Sequence, residues 1–508
     1  MNKSDTIPIY WLVSLLPLLA LVGAWTTPAL ANPDLLKAMT AQIYLSALLL
    51  FWCWQNRHAP YLNLHCTTVR LLFSAFFVFG SLSVLWSVNV DFFIYKWLMW
   101  YAGALTFFFV LQINHTKENL HTIFNAIVLT GVVISVIGIA QYLFRLEVLP
   151  QHSFPASTFG NGNVAGQVIV LCFPAGIYLF LKQNSRKTLD WMYALALALM
   201  LVFAFYTQSR GVWLAVSLEI VLIALFVLLD KHQRPQWLYW NRNKKKASLA
   251  ALLLLTVLIN FDNQGFQPFS NIAATQISSI AIAVGYEGSA RYLLWASALE
   301  MIRDNPFIGT GLGSFLENYN QGYYTYSTWN TKRVHNDLLE LGVELGAVGY
   351  LIFIALVVCM IKLVIDLANK SSGPQRLAYA ATFIALTGTM FNAQLSFPYQ
   401  LPVPLIMLPL YAALIIKGAE EHTPWEKLKV KPLSVPSWFS KVAFSSAAVL
   451  LIVISTINGQ WFRAYSDLSH KIERPSVPST FRPDLLVFHQ DLIPILRSLS
   501  FSLAHQGM

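Results

Sequence analysis

Thr122-Ile-Phe-Asn-Ala-Ile-Val-Leu-Thr-Gly-Val-Val-Ile-Ser-Val-Ile-Gly-Ile-Ala-Gln-Tyr-Leu-Phe144 carries no charged side chain over a length that matches the thickness of a lipid bilayer. A helix needs about 20 apolar residues to cross a hydrocarbon core of about 30 Å, whereas a barrel strand needs only about 9 to 11. In lipid, every backbone N–H and C=O must find its partner within its own helix or in a closed barrel. A run this long therefore selects a helix.

Similar runs recur on both sides, near 8–27, 39–55, 71–87, 93–112, 165–182, 190–207 and 211–229, then 247–261, 338–361, 377–395, 400–417 and 442–458. The expectation is an all-α polytopic membrane protein with about 12 to 13 transmembrane helices. Composition agrees: 56% of the residues are hydrophobic and 11% charged, where a soluble domain carries roughly a quarter charged residues. The net charge of +10 invites a nucleic-acid reading, but in a membrane protein a basic excess usually records which loops stay in the cytoplasm. With the N-terminus inside, about 21 Lys and Arg fall in cytoplasmic segments and about 12 on the far side. The cluster Asn243-Lys244-Lys245-Lys246 is the strongest anchor, read as a stop to translocation. No nucleic-acid partner is expected; the surrounding partners are membrane lipids.

The first run has Lys3 before it and Ala29-Leu30-Ala31 after it, a signal-peptidase-like pattern. Its apolar stretch exceeds the usual 7 to 15 residues of a signal peptide, so an uncleaved helix is expected. Cys53, Cys66, Cys172 and Cys359 lie in or beside apolar runs at no metal-like spacing and read as small core residues.

Two segments lie on the far side at length. One spans about 262–335; the other is the tail after Gln460, where Pro475, Pro478, Pro483 and Pro494 forbid a regular span. In the longer loop, Ser289-Ala-Arg291-Tyr-Leu-Leu-Trp295 opens a stretch whose Leu294, Ala298, Met301 and Ile302 recur at helical spacing until Asn305-Pro306. This predicts an amphipathic helix, lying on the membrane surface or packed on the bundle. Arg291, in the first turn, opposes the helix dipole and favours a local anionic partner. Phe307-Ile-Gly309-Thr-Gly311-Leu-Gly313 lacks the βαβ setting of a nucleotide site and predicts a tight turn. The aromatic run Tyr319, Tyr323, Tyr324, Tyr326 and Trp329 suits either the membrane interface or stacking on sugar rings.

The loop ends at His335-Asn336-Asp337, the entrance of a membrane helix. There Asp337, Glu340 and Glu344 suit the helix dipole and could orient the imidazole, and Gly342, Gly346 and Gly349 form a strip for close packing. Arg210, in Thr207-Gln-Ser-Arg-Gly211, sits in a very short connection between two spans, where a guanidinium points to anion binding or snorkels to the interface. Ser157-Thr-Phe-Gly-Asn161-Gly-Asn163-Val-Ala-Gly-Gln167 is more polar than a plain turn requires, which makes Asn161, Asn163 and Gln167 candidates for a polar ligand.

Together, Phe159-Gly-Asn-Gly-Asn163, Ser209-Arg-Gly211, Arg291-Tyr-Leu-Leu-Trp295, Asn305-Pro-Phe-Ile-Gly309 with Gly311, and His335-Asn-Asp337 with Glu344-Leu-Gly346 and Gly349 resemble the O-antigen ligase and polymerase superfamily. The resemblance covers roughly 155–365. It implies a metal- and cofactor-free membrane glycosyltransferase of the bacterial inner membrane, active on the periplasmic face. The implied donor is a polyprenyl-diphosphate-linked glycan, and the acceptor is lipid A-core, a glycan or a protein. By the resemblance His335 would be the essential histidine, and Arg210 and Arg291 the phosphate-contacting arginines. The substrate-binding set expected beside them is Asn161, Asn163, Gln167, Tyr324, Asn336 and Asp337. Guanidinium forks match phosphate oxygens in a bidentate way that lysine cannot, and histidine as a residue type titrates near neutrality, as a general base requires.

The expected organisation is N-terminal membrane helices over 1–154, a catalytic region over 155–365 including the loop 262–335, C-terminal helices over 366–458 and a tail over 459–508. Ligation of O-antigen to lipid A-core is the leading expectation. Polymerisation and transfer to protein follow, and a non-catalytic glycolipid transporter stands outside the class. A transporter would show repeated halves, which the sequence lacks.

Overall fold

A computed structural model describes residues 9–23, 33–56, 61–113, 117–144, 146, 149, 155–182, 186–230, 240–261, 286–323, 333–422 and 431–472, with the backbone alone at 61–66, 117, 286–292, 321, 422, 431–437, 439–441 and 462–472. Each of the predicted apolar runs falls on a helix. In chain order these are α1 (Ile9–Leu21), α2 (Pro33–Asn56), α3 (Thr68–Leu82), α4 (Val90–Gln112), α5 (Lys117–Phe144), α6 (Gly162–Leu181), α7 (Lys187–Tyr206), α8 (Arg210–Leu229) and α9 (Arg242–Ile259). The amphipathic α10 (Tyr286–Asp304) follows, and then α11 (Asp337–Lys370), α12 (Gly373–Asn392), α13 (Pro402–His422) and α14 (Ser437–Ile472). Among the described residues, ten helices are long and apolar enough to cross a membrane. The chain is a multi-pass membrane protein. Three predicted runs fall short of that measure for visible reasons. α1 has 13 residues, α9 opens on Arg242 and the three lysines, and Gln375, Arg376 and three threonines dilute α12.

Two local features differ from the sequence reading. Tyr61–Cys66 (β1) pairs antiparallel with Lys431–Pro436 (β2), a short ribbon joining two loops that the sequence reading left unstructured. The segment after Gln460, expected to be irregular, continues as α14 to Ile472, because no proline occurs before Pro475. The signal-peptidase-like Ala29-Leu30-Ala31 lies outside the described residues.

Side chains that cap helix ends set the two faces of the bundle. Asn89, Asn161, Ser209 and Asn336 cap the N-termini of α4, α6, α8 and α11, each satisfying N–H groups that a helix cannot pair internally. Lys37 is fully buried and donates to the carbonyls of Leu19 (2.7 Å) and Val22 at the end of α1, and to Thr158 Oγ1 (2.9 Å). Its ammonium stands 4.2 Å from the Phe159 ring centre. One lysine thus ties α1 and α2 to the Phe159-Gly-Asn-Gly-Asn163 loop. At the opposite end Lys244 donates to the carbonyls of Leu181 (3.3 Å) and Lys182 (2.9 Å), so this member of the lysine cluster caps α6 from a buried position. Arg70–Glu420 (2.5 Å) and Asp230–Arg376 (3.1 Å) join helices at that same end.

α10 is packed on the bundle rather than lying free on a surface. Leu294, Ala298 and Met301 are fully buried with Phe315, Tyr319, Val334 and Val343 in a core separate from the main one. The helical spacing of the sequence predicted this apolar face.

Candidate active site

Three loops meet at one end of the bundle, and each contains one non-glycine residue in the left-handed region: Ser157 (φ 54°), Gln208 (φ 50°) and His335 (φ 56°). No other described non-glycine residue has positive φ. Such conformations cost of order 1 to 3 kcal/mol and persist where the surroundings impose them, which is often at functional sites.

The contacts among these loops run from one to the next. A side chain at Gly162 would lie 3.2 Å from the Thr207 carbonyl oxygen, and one at Gly166 would lie 2.6 Å from Val212 Cγ2, so the N-termini of α6 and α8 abut. The Cβ position of Gly211, next to Arg210, lies 3.7 Å from Leu395 Cβ and 3.8 Å from the Asn392 amide. Gln167 Nε2 donates to Ser396 Oγ (2.6 Å). Phe397 meets the His335 ring edge to face, 5.1 Å between centres. Asn336 Nδ2 reaches Gln394 Oε1 (3.5 Å), and the Asp337 N–H donates to the Ala393 carbonyl (2.8 Å). The connection between α12 and α13, Ala393 to Leu401, is thus the hub on which α6, α8 and His335 converge.

Sequence reasoning missed this hub, because the apolar runs placed at 377–395 and 400–417 left almost nothing between them. The available signal was the polar and aromatic content of Gln394-Leu-Ser-Phe-Pro-Tyr-Gln400.

Several candidate residues hold structural partners. The Asn161 side chain accepts the Asn163 N–H (2.8 Å); both residues are exposed. The Asn336 side chain accepts the N–H groups of Leu338 and Leu339 (3.1 Å each). Asp337 is buried, accepting from Tyr399 N–H (2.7 Å) and Gln400 Nε2 (3.2 Å). Gln167 is buried, and its Oε1 has no hydrogen-bond partner. The helix α10 begins at Tyr286, ahead of the expected start at Ser289, so the backbone of Arg291 lies in its second turn rather than its first; the Arg291 side chain and all of Tyr324 lie outside the described residues.

The carboxylates expected to orient His335 are held by a buried charge network instead. Lys96 of α4 bridges Glu340 (3.2 Å) and Glu344 (2.5 Å). Arg333 donates to Glu340 Oε1 (3.2 Å) and Gln400 Oε1 (3.3 Å). Burial works against the Arg333 charge, but Glu340 and Glu344 outweigh it and raise its proton affinity above the usual arginine range. A lysine inside an apolar run is costly in lipid and marks such a network. Lys96 was legible on that ground and was not singled out.

Below this network lies a cavity of about 370 Å³ between α3, α4, α11, α12 and α13, walled by Phe73, Phe76, Trp100, Phe353, Met390 and Leu408 among others. Lys96, Asp337, Glu344, Thr387, Tyr399 and Gln400 are among its polar lining.

The glycine strip also needs correction. Gly342 packs as expected, its Cβ position 2.9 Å from Ile302, but Gly346 (φ 59°, ψ −163°) breaks α11. Pro306 to Gly311 fills the break. The N–H groups of Thr310 and Gly311 donate to the carbonyls of Val343 and Glu344 (2.9 Å each), and those of Ala347 and Val348 to the carbonyls of Pro306 (2.8 Å) and Phe307 (3.0 Å). A Cβ at Gly311 would lie 2.6 Å from Ser87 Cα and one at Gly313 would lie 2.6 Å from the Phe92 carbonyl oxygen, and Leu312 N–H donates to Ser83 Oγ (3.0 Å). What the sequence presents as a tight turn is a clasp between α11 and the α3–α4 connection.

Residues 195–354 match the family model described as O-Antigen ligase. The similarity to the O-antigen ligase family is confined to this central region. It holds Arg210, Arg291, the clasp and His335, while Asn161, Asn163 and Gln167 precede it. An O-antigen ligase of Salmonella typhimurium is 27% identical over 252 residues, covering 47% of this chain and 55% of the relative. A ComP-specific O-oligosaccharyltransferase of Acinetobacter baylyi is 24% identical over 291 residues, covering 53% and 46%. An uncharacterized protein of Haemophilus influenzae is 25% identical over 203 residues, covering 39% and 48%. The chain spans about half the length of the curated relatives it matches.

Proposed function

We propose that the chain transfers a glycan from a polyprenyl-diphosphate carrier to an acceptor hydroxyl at the periplasmic face of the bacterial inner membrane, with O-antigen ligation to lipid A-core as the reaction. The observation that carries this reading is the hub. It gathers the His335 loop, the N-terminus of α8 with Arg210, and Gln167 at one end of the bundle.

The acceptor oxygen attacks the anomeric carbon, the bond from that carbon to the diphosphate oxygen breaks, and the diphosphate leaves with the electron pair. His335 takes the hydroxyl proton. Arg210 and Arg291 offset the charge that develops on the leaving group, where fixed guanidinium donors act with little reorganisation. Direct attack gives inversion. The apolar cavity suits the hydrocarbon of a lipid-linked substrate, with polar groups at hand for its head.

The Acinetobacter baylyi relative supports a second reading with a protein acceptor. Gene disruption followed by a polysaccharide gel and an assay of lipid-linked intermediates separates the possibilities. Ligation predicts core-only lipopolysaccharide with long lipid-linked chains. One repeat unit on core indicates a polymerase, and unchanged lipopolysaccharide with loss of a protein-linked glycan indicates protein transfer. Unchanged glycans in every fraction would refute the proposal.

The resemblance implies metal independence, so turnover of the purified protein is expected to persist in EDTA. Loss restored by one divalent ion would overturn that part.

A further inference from the structure

We propose that Glu340 and Trp295 are positioning residues for His335, holding its left-handed backbone so that the imidazole faces the hub; this rests on the reading of His335 as the proton acceptor. The peptide units before His335 are fixed on both edges. Glu340 Oε2 accepts the Val334 N–H (3.2 Å), and Trp295 Nε1 donates to the Val334 carbonyl (3.2 Å). The Val334 side chain is fully buried in the α10 core, so this residue is anchored three ways. On the other side of His335, Asn336 is fixed as the cap of α11.

Glu340 itself is fully buried, and its other oxygen accepts from both Arg333 and Lys96 (3.2 Å each). Its orientation is therefore set from α4 and from the loop together. Glu340 is the fourth residue of α11, one past the third position from which a capping-box carboxylate returns to its cap. Here it reaches past the cap to the residue preceding the strained one. Trp295 closes the Arg291-Tyr-Leu-Leu-Trp295 stretch, so that stretch contributes a backbone clamp on the histidine loop in addition to its arginine.

A displacement of about 1 Å at a reacting group lowers turnover by about 100-fold. Glu340→Gln is accordingly expected to lower kcat about 10- to 100-fold, with KM for the lipid-linked donor changed less than about threefold. Trp295→Phe keeps an aromatic ring and changes no charge, and is expected to lower kcat several-fold with KM unchanged. Both are measured on the full-length protein in detergent, beside its thermal melt. Wild-type kcat in a folded Glu340→Gln or Trp295→Phe protein overturns the proposal, as does a loss that appears only as a lower melting temperature. If Glu340→Gln fails to fold, Trp295→Phe decides alone. His335→Asn separates the two levels. An active His335→Asn protein means that the reading of His335 has failed, whereas an inactive one beside fully active Glu340 and Trp295 variants means that only the positioning has.

Discussion

Replacement of His335 by asparagine is expected to abolish transfer while leaving the protein folded. A positioned general base contributes about 10²- to 10⁴-fold to turnover, and asparagine cannot take the proton at neutral pH. Asparagine also adopts the left-handed region more readily than most residues, so it keeps the conformation of position 335 (φ 56°). Alanine would add a backbone penalty of about 1 to 2 kcal/mol. His335→Asn and His335→Ala should therefore be equally inactive, with His335→Asn the more stable. The check is a single-turnover assay of polyprenyl-diphosphate release, with donor binding measured separately. Retention of much of the activity by His335→Gln would assign the imidazole to orienting the acceptor through hydrogen bonds rather than to taking its proton.

The second large effect is structural. Gly346→Ala is expected to prevent accumulation of folded protein. A Cβ at this position would stand 2.5 Å from the Gly309 nitrogen and 2.6 Å from the Phe307 carbonyl carbon and oxygen, all backbone atoms that cannot swing aside. The combination of φ 59° and ψ −163° is open essentially to glycine alone and costs another residue about 1 to 3 kcal/mol. The four backbone hydrogen bonds across the break add about 1 kcal/mol each. The total of about 5 to 7 kcal/mol is comparable to the whole stability of many domains. The measurement is the yield of monodisperse protein by size exclusion in detergent, with Gly322→Ala as a control at a glycine that has nothing within 4 Å of its Cβ position. A normal yield of Gly346→Ala would show that the clasp does not hold α11.

The membrane architecture was legible because one physical demand, satisfying backbone groups in lipid, acts on contiguous residues. The same held for α10, whose buried Leu294, Ala298 and Met301 stand at helical spacing. The site was legible only as separate pieces. The sequence offered Arg210, Gln167 and His335 but not the Ala393–Leu401 connection that joins them, because its contacts reach residues far along the chain, as Gln167 to Ser396 does. Periodicity carries no record of such pairings. For the same reason Gly346 read as one member of a packing strip. A glycine that permits a close neighbour and a glycine that permits a helix break look alike until the neighbour is known, and the neighbour here, Gly309, lies beyond a loop.

The clasp makes one membrane helix depend on a distant part of the chain. In an unbroken helix the Val343 and Glu344 carbonyls would pair with the Ala347 and Val348 amides. With the break at Gly346 in place, Pro306 to Gly311 meets all four groups instead. Left unmet, such groups are expensive in hydrocarbon. The helix that begins directly after His335 is thus completed by backbone that precedes His335 in the chain.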